Sequence, residues 1–215
     1  MKRFLFVAVL VALFVGVGLI LSYGQDAPPT PGPSSPVKTA KTWKDPETGL
    51  TWQVTPTGGG MKWTEAKAHC KNLSLDGHRG WRLPTISELR SLIRGCLVTQ
   101  RGGPFGVRDT CLSSGCAKGP YHNCLPKSSP GLSGAYWPPD ILGDADFYWS
   151  ASLVSDNDFA NTAWGVNFDD ARVLASKVDV SGNMTDEEAR AWNEVAKKAK
   201  GFDPNRHKAR ARCVR

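Results

Sequence analysis

The side chains in this 215-residue chain with the most scope for chemistry are six cysteines, four histidines and a group of aspartates. The cysteines stand at 70, 96, 111, 116, 124 and 213. Thiols in even number either pair as disulfides or hold a metal. The spacing of Cys111 and Cys116 is one that zinc ligands also use, but the only nearby histidine is His122 and no CxxC pair occurs. Behind the export segment described below, three disulfides are expected and no cofactor. Asp156, Asp158, Asp169 and Asp170 carry the oxygen ligands that Ca²⁺ takes. Their placement is equally that of solvated turns, which is the reading adopted, with calcium as the alternative. The chain has no GxSxG, HExxH or P-loop, and His69, His78, His122 and His207 have no convincing partners. The expectation is a protein that is not an enzyme.

Elements must position these groups. In "KWTEAKAHCKNL" the residues Trp63, Ala66, Cys70 and Leu73 recur at steps of three and four, one face of a helix with Thr64 as its N-cap. Cys70 therefore points to the core. In "WRLPTISELRSLIRGC", Pro84 disfavours helix at Leu83, Thr85 and Glu88 form a capping box, and Ile86, Leu89, Leu92 and Ile93 make a buried stripe. Gly95 is the expected stop, and Cys96 staples the exit. Arg82 is read as structural, in a salt bridge or on backbone carbonyls. "TWKDPETGLTWQ" reads as a hairpin about Asp45, Pro46 and Gly49. "DFYWSASLV" (146–154) and "TAWGVNFDDARVLAS" (162–176) read as strands, with a turn at Asp169-Asp170. "TDEEARAWNEVAKKAK" predicts a helix capped by Thr185 and Glu188, with Trp192 in its apolar stripe. The terminal "KARARCVR" alternates: Ala209, Ala211 and Cys213 face inward, and the basic residues 208, 210 and 212 face solvent, as in a half-buried strand. Two inward cysteines, Cys70 and Cys213, then form one bridge. Cys96, Cys111, Cys116 and Cys124 pair among themselves in the non-periodic loop 96–130, where three pairings are open.

The rest of the chain sets the compartment. Lys2 and Arg3 precede the uncharged run Phe4–Leu21, and small residues at Ser22 and Gly24 suit cleavage after Gly24. Residues 1–24 are read as a signal peptide, with an uncleaved signal anchor over 4–21 as the alternative. Residues 25–42 form a Pro-rich linker. The folded domain is placed at 43–215. The formal charge is +7, much of it near the C-terminus, which permits weak attraction to acidic glycans or surfaces. Nothing in the chain suits nucleic acid.

The order of "DPETGLTW", "W-x6-C", "GWRLPTISEL", "YWSAS", "AWGVNF" and terminal "RCVR" resembles the Lcl C-terminal domain family of exported bacterial proteins. "GWRLPT–EL" together with "YWS" is the specific part. The resemblance implies an α+β domain of C-type lectin-like fold, shared with formylglycine-generating enzymes: two early helices on a twisted antiparallel sheet, with the last strand beside the first helix. This chain adds the Cys-rich loop 96–130 and a helical insertion at 183–206. It lacks the Glu-Pro-Asn or Gln-Pro-Asp and Trp-Asn-Asp motifs of a calcium-dependent lectin. The resemblance implies a binding module toward glycans or a surface protein partner. A structural part of an envelope complex, with Trp192 in a docking or packing helix, is the alternative. A formylglycine-generating-type oxidase needs reactive thiols, and here each cysteine is expected to be taken up in a disulfide. Binding residues are sought on the loops of the sheet: Trp149, Asp156, Asn157, Asp158, Asn167, Asp169 and Arg172. The expected location is secreted, periplasmic or at the cell surface, or the inner membrane if the anchor stays.

Overall fold

Trp164 and Val166 belong to the central strand of a three-stranded antiparallel sheet, and Phe168 follows just past its end. A computed structural model describes residues 40–56, 58–117, 124, 134–178 and 208–215. The leader, most of the linker, His122, His207 and the helix predicted around Trp192 lie outside the described residues. The elements in chain order are β1 (Thr42–Lys44), β2 (Thr51–Gln53), α1 (Trp63–Asn72), α2 (Ile86–Ser91), β3 (Phe147–Leu153), β4 (Thr162–Asn167) and β5 (Arg172–Lys177). β1 and β2 form the expected hairpin, with Trp43 opposite Trp52. The larger sheet has the order β3-β4-β5, all antiparallel. The class is α+β.

Each strand of that sheet splits its side chains between two cores. Tyr148, Trp164, Val166, Val173 and Ala175 face one core with α2 residues Ile86 and Leu89. Phe147, Trp149, Ala163 and Leu174 face the other, with α1 residues Trp63, Ala66 and Cys70 and the terminal Ala209, Ala211 and Cys213. The sheet is thus covered on both sides. Gly165 lies where a Cβ would meet the Phe147 ring at 2.4 Å and the Tyr148 carbonyl at 2.4 Å, so only glycine lets β3 pack here.

Local signals place the helices, with two adjustments. The N-cap of α1 is Lys62, not Thr64. The Trp63 indole N–H donates to the Ser150 carbonyl at 2.7 Å, which seats Trp63 at the first helical position, and Glu65 accepts the Lys62 backbone N–H at 2.8 Å. α2 begins at the expected capping box: Glu88 N–H donates to Thr85 Oγ1, and Thr85 N–H donates to the Glu88 carboxylate at 2.8 Å. It ends at Ser91, before Gly95, because the chain tightens to three-residue hydrogen bonds from Leu92 and Ile93 to Leu89 and Arg90. Arg82 makes the expected salt bridge, two bonds of 2.6 Å to Glu88, with its side chain 48% exposed.

The C-terminal segment departs most from its sequence pattern. It forms isolated bridges to several partners in place of one ladder: Ala209 to Met61, Arg210 to Tyr148, and Val214 to both Trp52 and Arg82. Arg212 does not face solvent; it is 0% exposed. Its guanidinium donates to the carbonyls of Gln53 (2.8 Å), Val54 and Leu142 (2.7 Å), and lies over the Trp137 and Tyr148 rings. Arg210 is half-buried on Asp144 and Asp146. Of the three basic positions only Lys208 is exposed.

All six cysteines pair. Cys70 joins Cys213 with Cα atoms 5.3 Å apart, the pairing expected from the sequence. Of the three loop pairings, the structure has Cys96–Cys124 and Cys111–Cys116. The zinc alternative at Cys111 and Cys116 is therefore displaced by a disulfide.

Candidate functional site

The loops at the two ends of β4 hold most of the residues singled out for binding, but they do not converge. At one end, the β3–β4 connection carries Asp156, Asn157 and Asp158 on a 3₁₀ turn, Asn157–Phe159. Across from it stands the small ring closed by Cys111–Cys116, with its own 3₁₀ turn, Ser114–Cys116. Backbone hydrogen bonding docks the two loops: Ser114 N–H donates to the Asp156 carboxylate, and Ser155 N–H donates to the Leu112 carbonyl at 3.2 Å. The Trp164 indole N–H also donates to Leu112, at 2.9 Å, anchoring the ring to the sheet. Gly106 permits close approach behind the ring, since a Cβ there would meet the Cys116 carbonyl at 2.4 Å. Between the loops is a polar cleft of about 680 Å³, lined by Ser113, Ser114, Gly115, Ser155, Asp156, Asn157, Asp158 and Phe159. Hydroxyl, amide and carboxylate groups here can hydrogen-bond a hydroxyl-rich ligand, with the buried Phe159 ring beneath them as packing.

At the other end of β4, Asp169 is exposed, and Asp170 pairs with Arg172 at 2.7 Å. Burial pushes the Asp170 carboxyl up, and Arg172 only partly offsets this. The Asp170 carbonyl accepts the Cys124 N–H at 2.8 Å, so this turn serves as a seat for the Cys-rich loop.

Two candidates are not surface residues. Trp149 is 0% exposed, and its indole N–H donates to the Met61 carbonyl at 2.9 Å; it packs edge-on to Phe147. Asn167 is 7% exposed, with its side-chain oxygen turned to the Asp169 N–H. Both are in the core because a second layer covers each face of the sheet. The four aspartates weighed as calcium ligands are also divided. Two stand at each end of β4, roughly 20 Å apart at ~3.3 Å per residue. Among the described residues no group of three acidic, His or Cys ligands comes together.

Sequence reasoning missed the other wall of the cleft, Ser113–Gly115. The available signal was the short cysteine spacing around "LSSG", which forces a tight ring. It also missed two buried arginines. Arg90 donates to the carbonyls of Thr99 (2.8 Å), Val107 and Gln100 (3.2 Å), organising the loop after α2. Burial lowers the pKa of both Arg90 and Arg212 to about 10.

A family model described as the Lcl C-terminal domain matches residues 41–185, which include both walls of the cleft. No curated protein and no solved structure matches the chain.

Proposed function

The chain belongs to the Lcl C-terminal domain family, and from that membership we propose an exported, non-catalytic binding module that takes a glycan or a surface-protein partner in the cleft between the Cys111–Cys116 ring and the β3–β4 loop. The observation that carries this reading is the meeting of Asp156, Asn157 and Asp158 with Ser113–Gly115 across one concave polar surface. Both walls are held in advance, one by a disulfide and both by hydrogen bonds to each other or to β4. Such preorganisation lowers the ordering cost of binding. The C-type lectin-like arrangement is part of the same proposal, supported by the bridge from the first helix to the terminal segment. Three disulfides fit an oxidising compartment. Among the described residues no helix is long and apolar enough to cross a membrane. Together with the uncharged run Phe4–Leu21, the disulfides support export to the periplasm, cell surface or medium, with residues 4–21 as leader or anchor.

A glycan array, with a parallel pull-down from surface extracts, tests the proposal. The expected result is a ligand whose affinity falls at least tenfold in Asn157→Ala/Asp158→Ala, two exposed positions, with unchanged melting temperature. Chelation by EDTA is expected to leave that affinity unchanged. Folded protein that captures nothing, or a ligand indifferent to both substitutions, would overturn the cleft as the site.

A further inference from the structure

A second concavity lies between α1 and the segment entering α2, and shares no lining residue with the polar cleft. Its volume is about 510 Å³, and its lining is Lys67, Ala68, Lys71, Trp81, Arg82, Leu83, Thr85 and Ala151. The surface it offers is almost entirely apolar. Trp81 and Leu83, 2% and 4% exposed, lie at its base, and Ala68, Ala151 and the lysine stems carry the apolar surface outward while the ammonium groups stay in water. No carboxylate lines it. Lys67 and Lys71 are neighbours at four-residue spacing on the exposed face of α1, the Lys67 ammonium sits 4.3 Å from the Trp63 ring centroid, and among the described residues neither lysine is paired with an acid. Arg82 crosses the lip but is already forked onto Glu88. The positive potential of the groove is therefore the property of Lys67 and Lys71.

We propose that this groove binds a small amphiphilic anion, with an acyl or similar apolar chain along Trp81, Leu83 and Ala68 and a carboxylate-like head between Lys67 and Lys71. The size is that of a small-molecule site, and the pattern is that of such sites generally: apolar walls, with few charged groups to set orientation. A sugar would leave its hydroxyls facing apolar walls, and a cation would meet two ammonium groups.

The test is calorimetric titration of the oxidised full chain with octanoate, octyltrimethylammonium and 1-octanol, each below micelle formation. Octanoate is expected to bind saturably and more tightly than either comparator, and to weaken as ionic strength rises. Lys67→Gln/Lys71→Gln should cost octanoate at least tenfold in affinity while leaving octanol unchanged. Ala68→Leu, which fills the groove from an exposed helix position, should reduce binding of octanoate and octanol alike. Unchanged far-ultraviolet dichroism and melting temperature would establish that both variants fold. The proposal fails if octanoate does not bind, if it binds wild type and variants equally, or if an acidic peptide bearing apolar residues binds in the groove and octanoate does not.

Discussion

Arg212 shows how much a single side chain can organise. It is a buried cation that no carboxylate neutralises among the described residues. Burial disfavours its charge and lowers its pKa to about 10, and the nearby Tyr148 hydroxyl only partly offsets this. What makes the position tenable is geometry. A planar fork reaches the carbonyls of Gln53, Val54 and Leu142 at once and stacks on Trp137 and Tyr148. An ammonium group has neither the fork nor the flat face. Arg212→Lys is therefore expected to destabilise by about 2–3 kcal/mol, the scale of losing charged hydrogen bonds in the interior. Urea denaturation would check it, with a lowered midpoint and an unchanged slope. Gly165→Ala belongs to the same scale. The added methyl meets the Phe147 ring and the Tyr148 carbonyl, and a loss of about 1–3 kcal/mol is expected from overpacking, read from the same curves.

Among the elements, α2 is short and depends on its cap. Burial raises the Glu88 carboxyl, but the Arg82 fork and the Thr85 N–H outweigh this and hold its pKa below the usual glutamate range. The unfolded chain then binds a proton at Glu88 more readily than the folded one. The contribution of ionised Glu88 is present in full above the ordinary glutamate range, around pH 4, and is lost as pH falls through the lower folded value. Glu88→Gln keeps an acceptor for the cap and removes the charge. Its deficit relative to wild type is expected at pH 7 and should shrink on acidification toward pH 3, followed by melting temperatures across that range. A deficit independent of pH would mean that the fork to Arg82 contributes shape and not charge.

For the whole molecule, the three disulfides divide their work by loop length. Cys70–Cys213 closes a sequence separation of 143, Cys96–Cys124 one of 28 and Cys111–Cys116 one of 5. Chain-entropy reasoning assigns about 5 kcal/mol to the first and about 2 kcal/mol to the last. Replacing Cys70 and Cys213 by alanine is expected to give the largest fall in melting temperature, because the terminal segment bridges β2, Met61, Arg82 and β3. Replacing Cys111 and Cys116 should give the smallest fall, yet abolish binding in the polar cleft, whose wall they shape. Paired measurements of melting temperature and ligand affinity on the two variants would show the two effects separating.

Much of this architecture is legible in local pattern. The Cys70 face of α1, the Thr85–Glu88 box, the first hairpin and the three strands of the larger sheet follow from spacing and turn residues, because each is decided by neighbours a few positions away. The Cys70–Cys213 bridge was also expected, and it forms, although the terminal segment makes isolated bridges and is not the regular strand from which the facing of Cys213 was read. Asp156, Asn157 and Asp158 were expected on a loop of the sheet, and they lie on one, beside the cleft. Periodicity says which residues share a face, but not what covers that face. Trp149 and Asn167 looked available, and Arg212 looked solvated, until a second layer closed over each side of the sheet. The Ser113–Gly115 wall, the separation of the aspartates to opposite ends of β4, and the groove beside Lys67 and Lys71 arise in the same way. Each depends on segments distant in sequence meeting in space, and that is decided only when the layers pack.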